Sequence, residues 1–360
     1  MKRVTSTALS AAVASSSARG QEVEHTPRGN QRAEKPNIVL YVADQFRWDF
    51  IRAYGLNPTT RTPNLDKIFQ RGVTFTGMVT NQPICSPSRA CMMTGRYATE
   101  TGIWKIQPPT ELHRDLPTLA TILRENGYTA NFIGKWHLAD TGMGSVPVDQ
   151  RGGFLDFWEG ANSVENTSHP YYGTIWDGQG NPIPWKDEYR VDFLTDRAVR
   201  FLKQPQKKPF LLFLSELEPH FDQQGDGPRR FIAPTGYADR FRNPYVPPDL
   251  LHLPGRWQEQ LPGYYGDVEK IDESVGRILQ TLEEQKILDN TIFLFTSDHG
   301  CHFETRNKGY KVSPHDSSIR IPFLMQGPGL NRSLQLPEIA GNIDLTPTLL
   351  DAVGVAVPPP

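Results

Sequence analysis

The side chains best suited to chemistry in this 360-residue sequence come in small groups far apart along the chain, each closing an apolar run. Asp44 and Gln45 follow NIVLYVA, Lys135 and His137 end TANFIGKWH, His220 ends PFLLFLSELEPH, and Asp298 and His299 fall in TIFLFTSDHG. Singly, each group reads first as a cap or a solvated strand end. Jointly, two carboxylates, an amide oxygen and an imidazole form an oxygen-rich donor set suited to a divalent cation.

A further group lies in PICSPSRACMMTGR, residues 83 to 96. Ser86, Pro87 and Ser88 suit the first turn of a helix, where proline is tolerated and small hydroxyls cap free N–H groups. Cys85 then stands at the positive end of a helix dipole with Arg89 one turn on, a setting for an anion or a thiolate. Plain thiol catalysis requires a nearby general base and leaves the cation-binding set without a role. A bridge from Cys85 to Cys91 leaves Pro87 and Arg89 unexplained. On these residues alone Cys85 stays open between structural thiol, metal ligand, nucleophile and precursor of a modified side chain.

The elements that must position these residues are legible as alternating patterns. Five apolar runs, beginning near 37, 129, 209, 291 and 321, read as strands, and helical patterns such as TPNLDKIFQRG, LPTLATILRENGY and VDFLTDRAVRFLKQ lie between them. This alternation predicts an α/β fold with a mostly parallel central sheet and helices on both faces. In such sheets the ligand crevice lies outside the carboxyl ends of the strands, where the reactive groups fall. Residues 141 to 187 and 221 to 263, rich in Gly, Pro and aromatics, read as long loops over one sheet edge.

Basic and acidic residues nearly balance, 38 against 40, so no global field favours nucleic acid or an anionic membrane. Three cysteines are too few for a disulfide framework. The first 35 residues combine a basic start, the short apolar run ALSAAVA and a polar stretch. They read as a signal peptide with a disordered leader, implying export to the periplasm or beyond, with a cytoplasmic protein bearing a disordered tail as the alternative. The catalytic domain is then 36–360, and no later run is long enough to span a bilayer.

With these residues in view, the chain resembles the type I, formylglycine-dependent sulfatases of the alkaline-phosphatase-like superfamily. CSPSR matches that family's C-x-P-S-R signature and ACMMTGR its usual continuation, with NIVLYVADQ, GKWHL, EPHF, TSDHG and KVSPHDSSIRIPF in support. The resemblance runs from about Asn37 to the end. It implies that a separate maturation enzyme oxidises Cys85 to formylglycine, whose hydrate attacks sulfur with one hydroxyl and expels sulfate by collapse of the second. Asp44, Gln45, Asp298 and His299, with the modified Cys85, fall on its metal positions, for Ca²⁺ or alternatively Mn²⁺. Arg89, Lys135 and Lys311 fall on the basic positions that meet charge on the sulfuryl oxygens. His137 matches the residue assisting diol collapse and His220 the general acid for the leaving oxygen. Lys311 rather than Lys308 is taken because it stands four residues before HDSSIRIP.

Two departures qualify the match. Gln45 replaces a second aspartate and His299 an asparagine of many members; the neutral amide weakens hard Ca²⁺ and tolerates Mn²⁺ better. The same pairing occurs in relatives that cleave phosphonate monoesters and phosphodiesters and in some sulfatases. The sequence also stops at VAVPPP, where members continue into a smaller C-terminal subdomain; that subdomain is expected to be largely missing, with an apolar face uncovered near IDLTPTLLDAVGV. The expected activity is hydrolysis of a sulfate ester, carbohydrate-linked if the aromatic stretch YYGTIWDGQGNPIPW stacks on sugar rings. Phosphonate monoester or phosphodiester hydrolysis, and an inactive relative retaining anion binding, are the alternatives. His315 and Asp316 either reach the substrate from the loop after Lys311 or cap the turn before IRIPF. Cys301 reads as a small buried apolar residue.

Overall fold

The computed structural model describes residues 35–108, 110–222 and 229–359. The stretch read as signal peptide and leader lies outside them up to residue 34. An 11-stranded mixed sheet organises the described chain. Its strands are β1 (Asn37–Ala43), β2 (Val73–Val79), β3 (Thr129–Lys135), β4 (Phe157–Ala161), β5 (Ser168–His169) and β6 (Tyr172–Asp177). β7 (Pro182–Lys186), β8 (Phe210–Glu216), β9 (Thr291–Ser297), β10 (Phe323–Gln326) and β11 (Leu334–Gly341) complete it. The order is β11-β2-β10-β9-β1-β8-β3-β4-β6-β5, with β7 paired to β6. The middle of the sheet, β9-β1-β8-β3-β4, is parallel throughout, and β10 and β6 join it antiparallel on either side.

Helices α1 (Pro63–Arg71), α2 (Cys85–Thr94), α3 (Ala98–Thr101), α4 (Leu119–Glu125), α5 (Val164–Thr167), α6 (Arg190–Leu202), α7 (Trp257–Glu284), α8 (Asp316–Ile319) and α9 (Leu345–Ala352) surround the sheet. Because successive strand side chains point to opposite faces, β1 feeds two cores. Val39 and Tyr41 pack with residues of α1, α6 and α7, whereas Ile38, Leu40 and Val42 pack with residues of α2, α4 and α9. Burial on both faces is why these central strands read as continuous apolar runs.

Three expectations change. The region 141 to 187 is not loop alone: β4 to β7 extend the sheet there, and short, polar-interrupted strands carry no run for periodicity to detect. Its aromatics serve partly as core, since Trp185 is buried and stacks on Phe193 with ring centroids 4.3 Å apart. The stretch near 343 to 355 is not uncovered, because Leu345, Leu349, Leu350, Val353 and Val355 are all buried; exposed apolar side chains occur instead on edge strand β11, at Leu334 and Ile339.

Candidate active site

The carboxyl ends of β1, β3, β4, β8 and β9 deliver Asp44, Lys135, Glu165, His220 and Asp298 toward one place. Parallel pairing fixes this: Ala43 pairs with Glu216 on one side and Ser297 on the other, so the residues that follow leave the sheet together. Gly134 permits the approach before Lys135; its φ is +105°, and a Cβ there would stand 2.0 Å from the Ser215 carbonyl oxygen.

Helix α2 begins at Cys85 itself, with Ile84 as an uncapped N-cap. The two serines do not cap it as their types suggested. Ser88 Oγ donates to the Asp298 carbonyl at 2.6 Å and accepts from Asn342 Nδ2 at 2.7 Å, locking the helix start to the end of β9. Pro87 falls in the first turn, where its missing N–H costs nothing.

Cys85 is buried and ringed by charge. Its Sγ lies 2.8 Å from Lys311 Nζ, 3.7 Å from Lys135 Nζ, 3.4 Å from His299 Nε2 and 3.8 Å from Asp44 Oδ1. Burial alone would raise the thiol, but Lys135, Lys311 and His299 hold it well below the usual range. The side chain forms the floor of a cavity of about 390 Å³ whose walls include His137, Glu165, His220, Tyr310 and Lys311. Lys308 is exposed, whereas Lys311 reaches the site.

Arg89 is not among the residues lining this cavity. Its Nε donates to Asp298 Oδ2 at 3.1 Å, Nη2 to Asp44 Oδ2 at 3.2 Å, and Nη1 to both the Lys135 carbonyl and Ser215 Oγ. With those N–H groups committed, the guanidinium clamps two carboxylates and leaves little for an ester. Lys135 is similarly occupied, 2.7 Å from Asp44 Oδ2 and 2.8 Å from Glu165 Oε1.

Glu165 drew no attention in the sequence because GANSVEN carries no apolar run or motif; only recognition of β4 as a strand would have placed it after a strand end. Burial acts upward on its carboxyl, but Lys135, then His137 and His220, hold it down at about 2. His137, at φ 62°, sits with Nδ1 3.8 Å from Glu165 Oε1. This left-handed backbone is held by the His137 N–H on the Asn162 carbonyl at 2.8 Å. His220 places Nδ1 2.8 Å from the Phe221 carbonyl oxygen, and burial followed by Lys311 lowers its pKa.

The ligand atoms of Asp44, Cys85, Asp298 and His299 all lie within 4.8 Å of one another. His299 Nδ1 is 3.0 Å from the Gly300 carbonyl oxygen, which fixes Nδ1 as donor and leaves the Nε2 lone pair facing the carboxylates. Gln45, at φ 67°, has its N–H on Asp298 Oδ1 at 3.1 Å, and its buried Oε1 has no hydrogen-bond partner. Converging carboxylate, imidazole and sulfur atoms, with a buried acceptor left unpartnered on the residue after Asp44, are what a divalent cation would satisfy, so the donor set fits a metal.

His315 and Asp316 stand apart. They line a neighbouring cleft of about 560 Å³ with Trp48, Tyr245 and Asp249, and are not among the residues around the Cys85 cavity. Cys301 is buried, accepts from Gln45 Nε2 at 3.4 Å, and burial pushes its thiol up to about 12.

The sulfatase family profile matches residues 36–355. The chain belongs to the sulfatase family. Among relatives of this sulfatase-family chain, the ulvan-active sulfatase of Formosa agariphila is 30% identical over 335 residues, covering 90% of this chain and 63% of its own. The N-acetylglucosamine-6-O-sulfatase of Bacteroides thetaiotaomicron is 25% identical, covering 91% of this chain and 69% of its own. The crystal structure of YidJ from Bacteroides fragilis superimposes with TM-score 0.77 at 27% identity, over 91% of this chain and 76% of that one. The chain thus spans roughly two thirds of the length of these curated sulfatases.

Proposed function

We propose that this sulfatase-family protein hydrolyses sulfate monoesters, carbohydrate-linked ones foremost, with formylglycine made from Cys85 and a divalent metal at the Asp44 cluster. The observation that carries the reading is the placement of Cys85 at the first turn of α2, on the floor of a cavity, 2.8 Å from Lys311 and beside the carboxylate and imidazole donors. When present, the modified side chain supplies a hydrated aldehyde as nucleophile, and the metal, held by Asp44, Gln45, Asp298 and His299, supplies Lewis acidity.

The protein's own groups do the remaining work. Lys311, which lines the cavity with Arg229 and stands beside Cys85, meets charge developing on the non-bridging oxygens. His220, whose Nδ1 donates to the Phe221 carbonyl, keeps its Nε2 lone pair 3.3 Å from Lys311 Nζ and relays a proton from that ammonium to the leaving oxygen. His137, beside Glu165, accepts a proton as sulfate departs. Arg89 acts through the carboxylates it clamps.

Support for a sugar ester comes from the names of relatives, one acting on ulvan and one on N-acetylglucosamine 6-sulfate. The pairing of neutral Gln45 with His299 favours a second reading, phosphonate monoester or phosphodiester hydrolysis. Both are tested by kcat/KM on aryl sulfate, aryl methylphosphonate and aryl phosphodiester after production with a formylglycine-generating enzyme. Sulfate turnover should dominate; dominant phosphoryl turnover overturns the first reading in favour of the second.

A further inference from the structure

The site holds more negative charge than its cation-binding set accounts for. Besides Asp44 and Asp298, the buried carboxylate of Glu165 lies on the cavity wall. Its Oε1 is 2.8 Å from Lys135 Nζ, which is itself 2.7 Å from Asp44 Oδ2 and 3.7 Å from Cys85 Sγ. Lys135 has three N–H donors, and these three neighbours engage them. Asp44 is shared with Arg89, so Glu165 offsets the charge of Lys135, and the Lys135–Glu165 pair offers an incoming anion no net attraction. Lys311 and Arg229 are the lysine and arginine of the cavity lining, and Glu165 is its carboxylate.

Ester classes that fit the same tetrahedral space differ chiefly in charge. A sulfate monoester carries one negative charge, as do phosphodiesters and phosphonate monoesters, whereas a phosphate monoester carries nearly two above its second pKa of about 6. A fixed carboxylate on a water-poor wall opposes the second charge more than the first, because repulsion grows with the ligand's charge and is weakly screened there.

We propose that Glu165 is a specificity-determining residue that selects monoanionic esters against dianionic phosphate monoesters. The proposal rests on the cavity over Cys85 being the ester site, and it holds whether sulfur or phosphorus is the preferred centre.

The test measures kcat/KM for aryl sulfate, aryl methylphosphonate and aryl phosphate, well above the phosphate's second pKa, in the matured wild type, Glu165→Gln and Glu165→Asp. Glu165→Gln should raise the phosphate-to-sulfate and phosphate-to-methylphosphonate ratios by on the order of tenfold or more, and Glu165→Asp should keep them near wild type. A carboxylate that only props up Lys135 would lower all three activities together, and unchanged ratios in the folded Gln variant overturn the proposal. Should that variant fail to fold, the wild type decides: methylphosphonate must be preferred to phosphate, and equal turnover of the two overturns the proposal. Absence of sulfate turnover alongside methylphosphonate turnover would remove the sulfatase reading and leave charge selection standing.

Discussion

Lys311 Nζ stands 2.8 Å from Cys85 Sγ although 226 residues separate them in sequence. The lysine arrives on the loop between β9 and α8 and the cysteine on the first turn of α2, so the fold brings a cation to the positive end of a helix. Such an arrangement is useful only if negative charge develops there. Lys311→Met should keep the fold and lower kcat/KM on an aryl sulfate by about 10²–10³-fold. A loss under about threefold would show that Lys311 does not meet the reacting group.

Arg89 holds Asp44 and Asp298 together, with both carboxylates and the guanidinium buried. Arg89→Met leaves two adjacent buried carboxylates without their shared cation. Urea unfolding of the metal-free protein should show a loss of about 3–5 kcal/mol, the usual cost of removing one partner of a buried pair. Added divalent cation should restore part of it.

His220 is assigned to the leaving oxygen, so its importance should depend on how much that oxygen needs a proton. His220→Ala should cost about 10²–10⁴-fold in kcat on esters of sugar alcohols and far less on esters of acidic phenols. Equal losses on both classes would place His220 elsewhere in the reaction.

The unpartnered Gln45 Oε1 marks a weak point in the cation site. Exhaustive chelation should abolish turnover and lower Tm, with both recovered on adding Ca²⁺ or Mn²⁺. Gln45→Asp adds a hard anionic donor and should tighten Ca²⁺ more than Mn²⁺, read by calorimetry. Stabilisation by ligand reaches about 2.7 kcal/mol at a hundredfold excess over Kd, so the Tm shift at fixed Ca²⁺ should also grow.

Glu216 ends β8 on the face opposite Arg89, with both carboxylate oxygens buried and unpartnered. Burial, reinforced by Glu218, raises its pKa well above the ordinary value. The folded state therefore binds this proton more tightly than the unfolded chain, whose glutamate titrates at about 4.3. Its contribution is fully present below that pH and is lost as pH rises toward the folded pKa. Glu216→Gln, which mimics the protonated form, should flatten the fall of Tm with pH across that window; an unchanged slope would mean the carboxyl is ionised in the fold.

The central strands and the donor groups after them were legible because a parallel sheet buried on both faces writes apolar runs, and function concentrates where those runs stop. Asp44, Asp298 and His299 were marked this way and Cys85 by CSPSR, and the fold brings the ligand atoms of all four together. Glu165 escaped because β4 is short and its segment mixes Gly, Asn and Ser, so no period betrays a strand end. The orientation of Arg89 escaped for a different reason. Sequence shows a cation one turn from Cys85, but only the positions of Asp44 and Asp298 decide that the guanidinium turns inward to them rather than outward to the cavity. The sheet edges from β5 to β7 and β11 were hidden by proline and polar residues in exposed strands.

The mass of the peptide carrying Cys85, taken from protein active on aryl sulfate after production with a maturation enzyme, tests the central claim most directly. The account predicts loss of the thiol in favour of an aldehyde that captures a hydrazide probe, with turnover proportional to the converted fraction. Full turnover by protein whose Cys85 remains an unmodified thiol would contradict it.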